Sequence, residues 1–273
     1  MHSHRPPTPD SKTERSSTLA AVSDRETRVQ TAGGAMTTFF AAPEGPGPFP
    51  TVVVFMDAAG LRDELRGIGR QVAGQGYYAV VPDLYHSFGD GITFDASKLR
   101  DPDSGELGRM FAQVDQLSDD AVMADTRALL GELAGDPLAS DGPRGAVGFC
   151  LGGRLVVRAL TTFPDAFAAG SALHPTRIVR EGPDSPHLRI GEMRGELYVG
   201  LGGADSFQPP ELFGPARKEL EQHGIAHLVE VHEGADHGFM IPDMPTYDEQ
   251  ASERCWERTF ELFDRALRAP VQA

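Results

Sequence analysis

The chain has 273 residues, enough for one large α/β domain or two small ones, and its 40% hydrophobic content supports a substantial core. With 40 Asp and Glu against 25 Lys and Arg, the net charge of −15 repels phosphate backbones and anionic lipid surfaces, which argues against nucleic acid or membrane as a partner. Only two cysteines, Cys150 and Cys255, are present, so no disulfide scaffold or Cys-rich zinc site is expected, and the cytoplasm is the compartment that fits best.

Residues 1–26 are rich in Ser, Thr, Pro and charge, without an apolar stretch long enough for a signal peptide, and read as a disordered tail. His2 and His4 within it read as solvated residues, not metal ligands. Residues 27–273 read as a single domain. It opens with a β-hairpin over 27–42, turning around Gly33-Gly34, and "PEGPGPFP" then breaks the chain. "TVVVFMD" (51–57) is a short β-branched apolar run of the kind expected for a strand covered on both faces. A helix is predicted over 63–73 and a second buried strand in "YYAVVPDLY" (77–85).

Residues 86–116 mix Gly, Pro and Asp and read as a long excursion that covers a site as a lid, with Phe88, Ile92 and Phe94 as its apolar members. Helical spacing resumes over 117–133. Strand 144–150, helix 151–163, strand 166–174, strand 195–203, a helix near 211–223, strand 227–233 and a final amphipathic helix from about 247 to 267 complete the pattern. Such alternation predicts an α/β protein with a mostly parallel sheet and helices on both faces. Ligands in such sheets sit at the carboxyl ends of the strands.

Three of those ends carry reactive groups. "GFCLGG" (148–153) has the form of a strand-to-helix nucleophile elbow with Cys150 as the nucleophile, and the dipole of the following helix favours a thiolate. Asp205 in "GGADSF" and His237 in "GADHGF" each fall just past a predicted strand. The order nucleophile, acid, histidine is that of an α/β-hydrolase triad. On its motif alone Cys150 reads as a nucleophile ahead of a buried thiol, whereas Asp205 alone reads as a turn residue and His237 alone as a loop residue; together they predict a Cys150–His237–Asp205 triad.

Through "PDLY" (82–85), "GFCLGG", "GGADSF" and "DHGF", residues 50–268 resemble the dienelactone hydrolase family of α/β-hydrolases. The resemblance implies an α/β-hydrolase fold with about eight strands, a Cys-His-Asp triad, no metal or organic cofactor, and hydrolysis of an enol-lactone. It further implies an oxyanion hole formed by the amides of Leu151 and Ala58, and an acid that pairs with the resting nucleophile, here Asp57. Where family members acting on the anionic dienelactone carry two arginines, this chain has Ser87 and Ile241, and neither can pair with a carboxylate as a guanidinium does. Arg62 is an alternative cation for the substrate. Tyr85, His86 and His174 are further candidates for the pocket wall, and Cys255, beside Trp256, reads as a packing residue.

The reading is therefore a monomer or small homo-oligomer that hydrolyses a small ester or lactone through a thioester acyl-enzyme. A broad carboxylesterase or thioesterase is the nearest alternative. A catalytically silent small-molecule binding protein on the same fold is the alternative of another class; the three intact triad residues count against it. "GLGGAD" lacks the spacing of a dinucleotide fingerprint, because Asp205 stands where the third glycine belongs.

Overall fold

The computed structural model describes residues 20–268. Eight strands form one sheet in the order β1-β2-β4-β3-β5-β6-β7-β8, where β1 is Val22–Thr31, β2 Gly34–Pro43, β3 Thr51–Phe55, β4 Tyr78–Pro82, β5 Arg144–Phe149, β6 Phe167–Leu173, β7 Glu196–Gly202 and β8 His227–His232. The pairs β1–β2 and β2–β4 are antiparallel. From β4 through β8 every pairing is parallel. The central strands β3 and β4 are buried at every position, which explains their unbroken apolar runs. The edge strand β8 is only half-buried, with Leu228 and Val231 exposed.

Helices α1 (Asp63–Gly74), α2 (Glu106–Val114), α3 (Asp119–Leu133), α4 (Leu151–Thr162), α5 (Gly214–Gln222) and α6 (Glu249–Leu267) complete the fold. Close packing explains two small residues in the strands. Gly145 of β5 lies against Phe263 and Leu267 of α6, and Gly170, one register step away on β6, lies against Val156 and Leu160 of α4. Alternate register positions face opposite ways, so α6 and α4 cover opposite faces.

The first strand starts at Val22, so residues 22–26, assigned to the tail, are paired with β2 along an unbroken ladder. Residues 1–19, with His2 and His4, lie outside the described residues. The hairpin turns at residues 32–33, one position earlier than expected. Helix α3 begins two residues late, because Ser118 caps it by accepting the Ala121 amide. The helix expected near 211–223 divides into a short 3-10 turn, Pro210–Phe213, and α5.

The excursion after β4 is more ordered than its composition suggests. It holds α2, a helix not predicted from the sequence, whose Leu107, Met110, Phe111 and Val114 fall at helical spacing on one side. No helix among the described residues is long and apolar enough to cross a membrane.

Candidate active site

Because β3, β5, β6, β7 and β8 are parallel, their carboxyl ends share one edge of the sheet. Asp57, Cys150, His174, Asp205 and His237 all follow these ends. The tightest point is the junction of β5 and α4. Cys150 sits there at φ 53° and ψ −113°, a conformation that non-glycine residues rarely adopt. The glycines on either side permit it: a Cβ on Gly148 would stand 2.3 Å from the Gly152 carbonyl oxygen, and one on Gly152 would stand 2.2 Å from that of Phe55. The turn presents the thiol, partly exposed, at the start of a 12-residue helix.

The other two groups arrive already oriented. Asp205 is buried, and its Oδ1 accepts the amides of Phe207 (2.9 Å) and Gln208 (2.8 Å). Its Oδ2 is 2.7 Å from Nδ1 of His237. With Nδ1 engaged, Nε2 is the nitrogen left for proton transfer. Burial by itself would push the Cys150 thiol up; the charge of His237 and its hydrogen bond to the sulfur outweigh this, and with the Leu151 amide they hold the pKa below the ordinary value. Burial likewise opposes charge on His237, but Cys150 and Asp205 raise it to about 10. Each partner thus favours the charged form of the other.

These groups open onto a cavity of about 200 Å³. Cys150, Leu151, Ala58, Asp57, His174 and His237 line it. Its far wall is largely apolar, with Leu107, Met110, Phe111 and Val114 of α2 facing Met244 and Phe207. The ring of Phe207 meets Phe111 edge-on (6.1 Å between centroids) and His237 in the same manner (5.4 Å). The excursion thus supplies much of the cavity's apolar wall.

The remaining predicted residues sit differently. His174 lines the cavity and is almost fully buried, its ring edge-on to His237 at 4.9 Å; burial holds its pKa well below 6.5, so it is neutral, and neither ring nitrogen has a partner among the described residues. Tyr85 is fully buried behind the wall and donates to the Ala58 carbonyl oxygen at 2.9 Å. His86 turns away from the cavity and pairs through Nε2 with Asp125 at 2.9 Å. Arg62 offers the cavity no free guanidinium, because Asp57 and Asp243 take it up. Asp57 in turn pairs with Arg62, and besides His237 the thiol's side-chain neighbour is Thr176, whose Oγ1 is 4.0 Å from Sγ. Ser87 is exposed and Ile241 fully buried; the arginines that line the cavity are instead Arg100, paired with Asp236 at 2.8 Å, and Arg177, paired with Asp115 at 3.0 Å. Cys255, on α6, is fully buried, and its sulfur lies within 3.3 Å of the Tyr198 hydroxyl.

The sequence had not pointed to Arg100, Arg177, Thr176 or Asp243. Arg100 and Arg177 lie in loops without periodicity, and Asp243 is tied to the site only by a partner 181 residues away. Among the described residues, no group of three or more His, Cys, Asp or Glu is arranged to hold a metal ion.

The sheet order and the strand-end placement of these groups define an α/β-hydrolase fold. The Klebsiella pneumoniae protein crystallised as a "putative dienelactone hydrolase" has the same architecture, with a TM-score of 0.78 at 23% identity, covering 90% of this chain and 99% of its own. The family model "Dienelactone hydrolase family" matches residues 36–267, and the chain belongs to that family. A "putative carboxymethylenebutenolidase" of Synechocystis is 26% identical over 237 residues, spanning 84% of this chain and 92% of the relative. One of the same name from Salmonella typhimurium is 27% identical over 257 residues, spanning 89% and 87%. The protein is a hydrolase of the dienelactone hydrolase type.

Proposed function

We propose that the protein hydrolyses a small ester or lactone through a thioester on Cys150, in the reducing cytoplasm where a free thiol persists. The observation that carries this reading is a partly exposed thiol, on a strained strand-to-helix turn, sharing a cavity with an imidazole anchored by Asp205. In the first step the Cys150 thiolate attacks the carbonyl carbon. The amides of Leu151 and Ala58 hold the oxyanion. As the tetrahedral intermediate collapses, the leaving oxygen departs with a proton from His237, and the acyl group stays on sulfur. Water then gives a proton to His237 and attacks the thioester; collapse releases the acid and restores the thiolate.

A thiolate is also a good leaving group, so the site favours enol esters, lactones and thioesters over amides. The apolar wall supports an uncharged acyl group. The names of the relatives point to an anionic enol-lactone, but Ser87 and Ile241 replace the expected arginines, and Arg100 and Arg177 of the cavity wall are already paired with Asp236 and Asp115. A panel of p-nitrophenyl acetate, a neutral enol-lactone and the anionic dienelactone tests this, with Cys150→Ala as control. Thiol-dependent turnover is expected, with kcat/KM for the neutral lactone exceeding that for the anion. A preference for the anion would contradict the uncharged-substrate reading, and equal rates in wild type and control would contradict the mechanism.

A further inference from the structure

Five hydrogen bonds account for the five N–H groups of Arg62, whose side chain is 11% exposed. Nη1 donates to Asp57 Oδ1 (2.7 Å) and, at 3.4 Å, to the Gly60 carbonyl; Nη2 donates to Asp57 Oδ2 (2.9 Å) and Asp243 Oδ1 (2.8 Å); Nε donates to Asp243 Oδ2 (2.6 Å). Lysine has neither the number nor the planar arrangement of donors to reproduce this. Burial opposes the charge of Arg62, but Asp57 and Asp243 more than compensate, so it stays a cation.

The two carboxylates belong to different walls of the site. Asp57 begins the loop that carries Ala58, lines the cavity, and is 1% exposed. Asp243 lies on the segment that follows His237. That segment is also tied to the histidine itself: Thr246 Oγ1 donates to the His237 carbonyl oxygen at 2.6 Å. Met244, Pro245 and Thr246 line the cavity. One guanidinium therefore joins the Ala58 loop to the histidine segment, across 181 residues of chain.

The placement also has an electrostatic consequence. A buried carboxylate bordering the same cavity as a thiolate repels it, and Asp57 works against ionisation of Cys150. The other titratable groups around the thiol are His237 with Asp205, the neutral His174, and Tyr85, with Arg154 near Tyr85 and paired to Asp119. Asp57 is the acid at the β3 end of this ring, and Arg62 takes both of its oxygens.

We propose that Arg62 is a positioning residue, which neutralises Asp57 beside Cys150 and locks the Ala58 loop to the segment carrying His237. The proposal rests on the thiol-hydrolase reading above. Asp57 is then not a switch that pairs with the resting thiol; it is the anchor for the arginine, and the thiolate is available before substrate arrives.

The pH dependence of Cys150 alkylation by iodoacetamide, followed by peptide mass spectrometry on the full chain, tests this without a known substrate. The buried Cys255 serves as an internal unreactive control. Arg62→Met leaves Asp57 uncompensated, and the thiol pKa is expected to rise by about one unit or more, with a matching shift of the acid limb of kcat/KM. Asp57→Asn/Arg62→Met should return it to the wild-type value. Arg62→Lys should keep the wild-type thiol pKa but lose several-fold in kcat, because a point charge cannot hold both loops. An Arg62→Met curve superimposed on wild type would overturn the proposal. If Arg62→Met does not fold, Asp57→Asn decides: with Arg62 retained, the thiol pKa should fall below wild type, and no change overturns the proposal. An ordinary thiol pKa in the wild type would instead overturn the thiolate reading, and this proposal with it.

Discussion

Cys150→Ala is expected to lower kcat for p-nitrophenyl acetate by roughly 10⁴-fold or more, since in the proposed mechanism it removes the atom that carries the acyl group. The substituted side chain is small, and alanine tolerates the positive φ about as poorly as cysteine, so Tm should stay close to wild type. That separation matters: loss of turnover with an unchanged melting transition assigns the effect to chemistry. Cys150→Ser is expected to be nearly as inactive. A serine hydroxyl stays protonated beside His237, and without the thiolate the imidazole loses a main cause of its raised pKa, so no preformed ion pair remains to supply the nucleophile. A stopped assay on folded, purified variants checks both, and turnover by Cys150→Ala within tenfold of wild type would refute the nucleophile assignment.

The second large effect is expected at His237. His237→Ala removes the proton carrier, and kcat/KM should fall by roughly 10³- to 10⁴-fold. It also removes the charge that offsets burial at Cys150, so the thiol pKa should rise above its ordinary value instead of lying below it. The pH profile carries the sign. In wild type the rate is expected to rise as the thiol ionises, below the ordinary thiol pKa of 9.0, and to fall as His237 loses its proton at about 10. In His237→Ala the alkaline limb should vanish and the acid limb should move up. A variant that kept the wild-type acid limb would show that another group ionises the thiol.

The sheet and the three strand-end groups were legible in the sequence for one physical reason. Strands buried on both faces must be apolar throughout, so 51–55, 78–82 and 144–149 stand out as runs, and the residues just past the end of each run lie on a common edge. Helix α2 was legible in principle: Leu107, Met110, Phe111 and Val114 keep helical spacing, but the Gly, Pro and Asp just before them dominated the reading. The first strand was cut short because residues 23–26 are polar, and they are polar because the outermost strand of the sheet exposes them. Arg62 could not be placed from its neighbours in sequence. Its position after the Ala58 loop suggested a cation for the substrate; only the approach of Asp243, from near the other end of the chain, turns it into a clamp. His86 likewise follows the family's "PDLY" but is drawn off by Asp125.

Rapid-quench mass spectrometry of the wild-type protein mixed with p-nitrophenyl acetate tests the central claim most directly. The account predicts one acetyl group per chain before the steady state, located on the peptide that contains Cys150 and absent from Cys150→Ala. An acetyl group on another residue, or full turnover with no covalent species while Cys150→Ala remains active, would contradict it.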